Sequence, residues 1–192
     1  MGRRQQVLDS AGSALQSLGI KAVGFVGDVR KQEDVKRVVE STFKHFGRLD
    51  ILVNAAAGNF LVPAEDLSTN GFKTVMDIDS VGTFTMCYEA LKYLKTGGPG
   101  RGSSSGGTIL NISATLHYTA SCVTRNLALE WGTDYGIRVN EIAPCPISGT
   151  PGMSKLAPDE IDNKAREYMP LYKLGDKWDI AMAALYLACD SG

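Results

Sequence analysis

Positive charge is not in excess in this sequence: 20 Lys plus Arg stand against 21 Asp plus Glu, for a formal net charge of −1. No cationic surplus exists to neutralise phosphates, which excludes a nucleic-acid-binding protein. Nor is there an apolar run of the roughly 18 residues that a membrane-spanning helix needs. Cysteine is sparse, and Cys87, Cys122, Cys145 and Cys189 are scattered with no CxxC pair. That pattern supports neither a metal site nor a disulfide framework, and it suits a reducing compartment. The first residues are polar and helical in pattern, so no secretory signal is read there. The C-terminal residues match no lipidation or peroxisomal address, and on these residues alone the compartment is cytoplasmic.

What is present is the composition of a globular domain, 44% hydrophobic and 21% charged over 192 residues. Residues 1–192 read as a single domain, long enough to bury a core. The chain is organised around residues 49–60, LDILVNAAAGNF. The apolar run to Val53 predicts a strand buried on both faces, as in a parallel sheet. It stops at Asn54, and the small residues Ala55, Ala56, Ala57 and Gly58 let a ligand approach the backbone closely. Ligands of open α/β sheets bind beyond the carboxyl ends of strands, so a flat, planar cofactor is expected here.

Apolar spacing predicts helices over residues 5–18, 32–46 and 71–94, the last apolar on most sides and so buried. Strands are predicted over residues 22–29, 108–112 and 137–143. Further helices fit residues 122–131, 158–168 and 177–188, and residues 96–107, rich in Gly and Ser, read as a flexible surface loop. Strands alternating with helices mean βαβ units and a parallel sheet.

Four motifs in order resemble the short-chain dehydrogenase/reductase superfamily. Asn54-Ala55-Ala56-Ala57 is similar to its NNAG motif, and Asp28-Val29 to the acidic dipeptide that contacts adenine. Asn111-Ile112-Ser113-Ala114 resembles the end of its fifth strand. Pro144, Cys145, Pro146, Ile147, Ser148, Gly149 and Thr150 resemble the loop on the nicotinamide side. More specifically AAAGNF, FKTVMDIDSVGTF and LALEWGTDYGIRVN look like the peroxisomal type of 2,4-dienoyl-CoA reductase, nearly end to end. The resemblance implies an NADPH-dependent reduction of 2,4-dienoyl-CoA to 3-enoyl-CoA in β-oxidation, a fatty acyl-CoA substrate, a peroxisomal setting and a homo-oligomer as one arrangement. It implies that Arg3 meets the ribose 2′-phosphate, since a guanidinium fork suits phosphate. It places Arg3, Arg30 and Lys155 against the CoA phosphates, and Phe60, Ser68, Thr69 and Asn70 against the acyl thioester.

Asp79 is the candidate acid. It shares a helical stripe with Phe72, Met76, Thr83, Met86 and Ala90, at spacings of three and four. A carboxylate on an apolar stripe needs a partner or a raised pKa, and both mark functional sites; a buried structural Asp is the alternative. The resemblance favours Asp79 over Asp77 and has it work beside a lysine. Ala114, where most of the superfamily has its Ser, agrees with that.

Two departures stand out. No Lys lies between Lys95 and Lys155, and the position four after Tyr118 is Cys122, so YxxxK is absent. No glycine-rich TGxxxGIG turn occurs, although such a turn holds the pyrophosphate. The expected architecture is therefore a partial Rossmann-like doubly wound parallel sheet lacking its first strands and its last strand, with a helix segment of about 17 residues missing near Ser121. Strand 49–54 is then either a bare edge or re-pairs with residues 22–29. Glu141 places a charge in a strand read as buried, and Cys145 replaces a Gly. Three functions stay open: the dienoyl-CoA reductase, a catalytically inactive fragment or variant of it, and a generic ketoreductase.

Overall fold

The computed structural model describes residues 1–60, 62–114, 118–156 and 172–190. Three parallel strands, β1 (Ile51–Asn54), β2 (Thr108–Ile112) and β3 (Arg138–Ile142), form a sheet in the order β1-β2-β3. The register aligns Leu52 with Ile109 and Val139, and Asn54 with Asn111 and Glu141. Strand side chains alternate, so both rungs face one side. On that side Leu52, Ile109 and Val139 pack with Val35 and Val39 of α2 (Gln32–Phe46), Cys87, Ala90 and Leu94 of α4 (Gly82–Leu94), and Leu127 and Trp131 of α5 (Tyr118–Tyr135).

The opposite side of β2 and β3 is covered by α7 (Lys177–Ala188). Arg138, on that side, donates to the carbonyls of Leu187 at 2.9 Å and Ala188 at 3.3 Å. It thereby satisfies carbonyls that a helix end leaves without an internal partner. With helices on both faces, the sheet is the doubly wound α/β arrangement expected. Among the described residues the remaining α-helices are α1 (Gln5–Ser17), α3 (Thr69–Met76) and α6 (Pro151–Leu156).

Several expectations are corrected. Residues 22–29 form no strand, only an isolated parallel bridge between Gly2 and Val26; a ladder needs neighbours along its length, and only Gly2 supplies one. β1 is not buried on both faces, since α7 lies over β2 and β3 and leaves Ile51 and Val53 exposed. It did not re-pair with residues 22–29, so it stands as an edge. The long helix is interrupted by a π turn at Asp77–Val81, and Phe72, Val81, Phe84 and Tyr88 along it are exposed. α5 begins at Tyr118, four residues earlier than its apolar pattern, and α6 was not anticipated. The helix expected over residues 158–168 lies outside the described residues.

The Gly/Ser segment is fastened down. Arg101 donates to the carbonyls of Gly106 and Leu49, each at 2.9 Å, and pairs with Asp50 at 2.9 Å.

Candidate active site

At the carboxyl ends of the strands the second rung is polar. Asn54 Nδ2 donates to Asn111 Oδ1 at 2.9 Å and to Cys87 Sγ at 3.3 Å, and Asn111 Nδ2 donates to Thr124 Oγ1 at 3.0 Å. These buried amides tie β1 to β2, and β2 to α5. Burial pushes the Cys87 thiol up to about 12, against a weaker opposing pull from the Asn54 hydrogen bond. Glu141 completes the rung, and its carboxylate accepts the Ser113 hydroxyl. That bond relieves the cost expected of a charge there. Sequence reasoning missed it, because the partners are 28 residues apart and meet only through strand register.

Beyond this rung lies a cavity of about 130 Å³, lined by residues 56–59, Asp79, Thr83 and residues 111–114. Asp79 sits in the π turn and its Oδ1 accepts the Gly58 N–H at 2.8 Å. Gly58 packs against Ile78, whose Cδ1 would have to move aside for a Cβ at 2.6 Å. Asp77 points elsewhere and pairs with Lys73 at 2.7 Å. Of the two carboxylates, Asp79 is the one that lines the cavity at the strand ends. Phe72, however, does not share its environment, because the π turn shifts the register between Met76 and Thr83.

A second cavity, about 360 Å³, adjoins Ala56 and Ala57 and is bordered by Arg3, Arg4, Asp28 and Arg30. Arg30 does not stand free for a substrate phosphate. Its guanidinium grips Asp28, with Nε at 3.0 Å from Oδ1 and a terminal nitrogen at 2.5 Å from Oδ2. The Arg30 backbone N–H adds a third bond at 3.0 Å. These bonds, the guanidinium one foremost, hold the Asp28 carboxyl down at about 2 against the opposing effect of burial. Arg3 and Arg4 are exposed, and no hydrogen bond or ion pair among the described residues takes their side chains.

The residues present fit the phosphate-bearing ribose of a dinucleotide, which two unengaged guanidiniums beside a cavity suit. They do not fit its pyrophosphate. Such a group needs a nest of backbone N–H donors, and the Gly58 N–H is already given to Asp79.

The loop from Pro144 to Thr150 is braced by residues outside it. Ile147 bridges Gly175, Ser148 Oγ donates to Asp176 at 3.0 Å, and the Met153 N–H donates to Thr150 Oγ1 at 3.3 Å at the start of α6. Pro146 and Gly149 lie in this braced loop, and Gly149 turns it with φ of +62°. Cys145 leans on Gly175, where a Cβ would meet its Sγ at 3.2 Å. On the other side of the strand ends, Phe60 stands beside the start of α3, within 3.8 Å of a Cβ placed on Gly71. Ser68 is the N-cap of α3, its Oγ accepting from the Gly71 N–H at 3.0 Å, and Thr69 and Asn70 open the helix. Lys155 belongs to α6. Among the described residues no cluster of three His, Cys, Asp or Glu could hold a metal, and no helix is long and apolar enough to cross a membrane.

Comparison with known proteins gives this geometry a context. The profile of the family described as enoyl-(acyl carrier protein) reductase matches residues 3–192. A peroxisomal 2,4-dienoyl-CoA reductase of Arabidopsis thaliana is 73% identical over 207 residues, which take in 100% of this chain and 70% of the relative. One of Danio rerio is 40% identical, over 96% of this chain and 64% of its own length. The Arabidopsis match is longer than this chain's 192 residues, so the relative carries residues inside it that have no counterpart here. Among solved structures, a short-chain dehydrogenase of Bacillus anthracis superposes with a TM-score of 0.80 at 34% identity, over 98% of this chain and 77% of that one. A short-chain alcohol dehydrogenase of Sinorhizobium meliloti, described as putative, gives 0.85 at 27% identity, with the same coverage. Parallel strands ending in small residues, helices on both faces and a match along the whole sequence agree: the chain belongs to the short-chain dehydrogenase/reductase family.

Proposed function

We propose that the chain serves the NADPH-dependent reduction of 2,4-dienoyl-CoA to 3-enoyl-CoA in the β-oxidation of unsaturated fatty acids, in a peroxisomal setting. The observation that carries this reading is the Asp79 carboxylate, fixed by the Gly58 N–H in a cavity at the strand ends. The names of the similar reductases support it. The nicotinamide, when bound, supplies the hydride. Asp79 then holds the proton destined for the carbon next to the thioester, through water in the cavity. Arg3 and Arg4 favour the 2′-phosphate of NADPH over NADH. Phe60, with Ser68, Thr69 and Asn70 at the start of α3, offers a surface for the acyl thioester, and Lys155 is the residue assigned to CoA phosphate. Arg30 serves the site by positioning Asp28 near the adenine.

A second reading, a chain that turns nothing over, is favoured by the pyrophosphate's missing cradle and by Cys122 four residues after Tyr118. One experiment separates them. NADPH absorbance is followed with hexadienoyl-CoA and with a simple ketone. The reductase reading expects loss of NADPH with the dienoyl thioester only, and a drop of about 100-fold in kcat for Asp79→Asn. Activity on the ketone alone would point to a ketoreductase. No turnover on either substrate would leave the inert chain.

A further inference from the structure

Ser113 and Glu141 are a part-buried pair with no part in the reaction described above. Ser113 follows β2, and its N–H donates to the Ile142 carbonyl at 2.9 Å, which carries the parallel pairing one residue past the strand. Its hydroxyl is given to the Glu141 carboxylate, so main chain and side chain are both tied to β3. The ladder already joins β2 to β3 along the whole of both strands, and their pairing needs no charged side-chain tie. A hydroxyl has one hydrogen and two lone pairs, and a carboxylate has no hydrogen to give. Ser113 is thereby the donor to Glu141 and offers only lone pairs to anything else. It lines the same cavity of about 130 Å³ as Asp79 and Thr83. An accepting oxygen there suits an O–H donor; it does not suit a thioester oxygen, which itself accepts.

We propose that Ser113, held by Glu141 in its accepting state, seats one water together with Asp79, and that Glu141 is a positioning residue acting through Ser113. The cavity's volume is several times what a single water needs. Asp79, Ser113 and Thr83 offer that water the roughly three polar partners a buried water takes. The water gives one hydrogen to Ser113, which fixes the direction of the other. The use of this water rests on the reductase reading: its second hydrogen goes to the carbon next to the thioester as the Asp79 proton passes to the water oxygen. Water is regenerated and Asp79 is left as the carboxylate. A Ser113 hydroxyl released from Glu141 would instead donate to the water, take up one of its lone pairs and leave its hydrogens undirected.

The first readout needs no turnover. A high-resolution crystal structure of the full chain should show a water within about 3.2 Å of both Ser113 Oγ and an Asp79 carboxylate oxygen. That water should be absent in Ser113→Ala, and in Glu141→Ala the Ser113 side chain should leave its rotamer. The second readout follows NADPH with hexadienoyl-CoA. Ser113→Ala and Glu141→Ala should each lower kcat about 10-fold with KM unchanged, and the double variant should be no slower than either. Ser113→Thr, which keeps the hydroxyl, should match the parent chain. The solvent deuterium isotope effect on kcat should rise in the slow variants, which a loosened strand pair alone would not produce. The proposal is overturned if the parent chain holds no such water, if the water stays in Ser113→Ala, or if both variants turn over with kcat and isotope effect unchanged. A seated water in a chain that turns nothing over would sink the reductase reading and uphold the water site. Should Glu141→Ala not fold, Glu141→Gln, which removes the charge and keeps the shape, takes its place.

Discussion

Asp28 shows how one residue can be legible by type and not by state. Its resemblance, with Val29, to the family's acidic dipeptide marked it as an adenine contact, but its carboxylate is already gripped by Arg30, two residues on. A carboxyl depressed in the folded chain contributes stability above its unfolded pKa and loses it as pH falls through the folded one. The Asp28 contribution should therefore be complete near neutrality and fade from the ordinary value of 3.8 down to about 2. A carbon-detected NMR titration should find Asp28 near about 2, and Arg30→Met should return it toward 3.8. Cys87 titrates in the other direction. With its thiol pushed up to about 12 and no exposure, it should resist maleimide in the native chain and react only on unfolding. Exposed Cys122 and Cys189 should label at once; early modification of Cys87 would contradict the burial. Asp79 drew notice in the sequence as a carboxylate on an apolar stripe, a local pattern. Its partner could not be found so: Gly58 is 21 residues away and meets it only in the folded chain.

Helices were more legible than strands. α2 and α7 match their apolar patterns end to end, since a helix satisfies its own backbone and leaves its period in the sequence. Residues 22–29 carry a strand's composition, but strand formation depends on neighbours that composition cannot supply. The π turn was hidden for a different reason: spacings of three and four, as in an unbroken α-helix, run through it in the sequence and give no mark of the change in turn. Ser68 shows an element-level role where a ligand contact was expected. Its hydroxyl caps α3, so Ser68→Ala should cost about 1 kcal/mol in chemical denaturation and fray the helix start. If instead stability were unchanged and only the KM for acyl-CoA rose, the hydroxyl would belong to the substrate.

Across the whole molecule, the doubly wound parallel arrangement was readable from the alternation of elements. The apolar stripe of α1 was readable too, but its packing was not: it has the period of a core-facing helix, yet none of its residues is buried. Local pattern records the partner a helix is shaped for, whether or not that partner is packed against it. The segment at residues 96–107 teaches the converse. Its composition describes a floppy linker, but a single guanidinium, 10% exposed, fastens it to the start of β1. This has a consequence for proteolysis. Trypsin must draw an arginine side chain into its own pocket, and Arg101 is not available while Asp50 and two carbonyls hold it. Limited digestion should cut first after Arg3 and Arg4, and leave the bond after Arg101 intact until the sheet itself opens. The glycine-rich stretch would then report global unfolding, and early scission there would mean that the clasp is not made in solution.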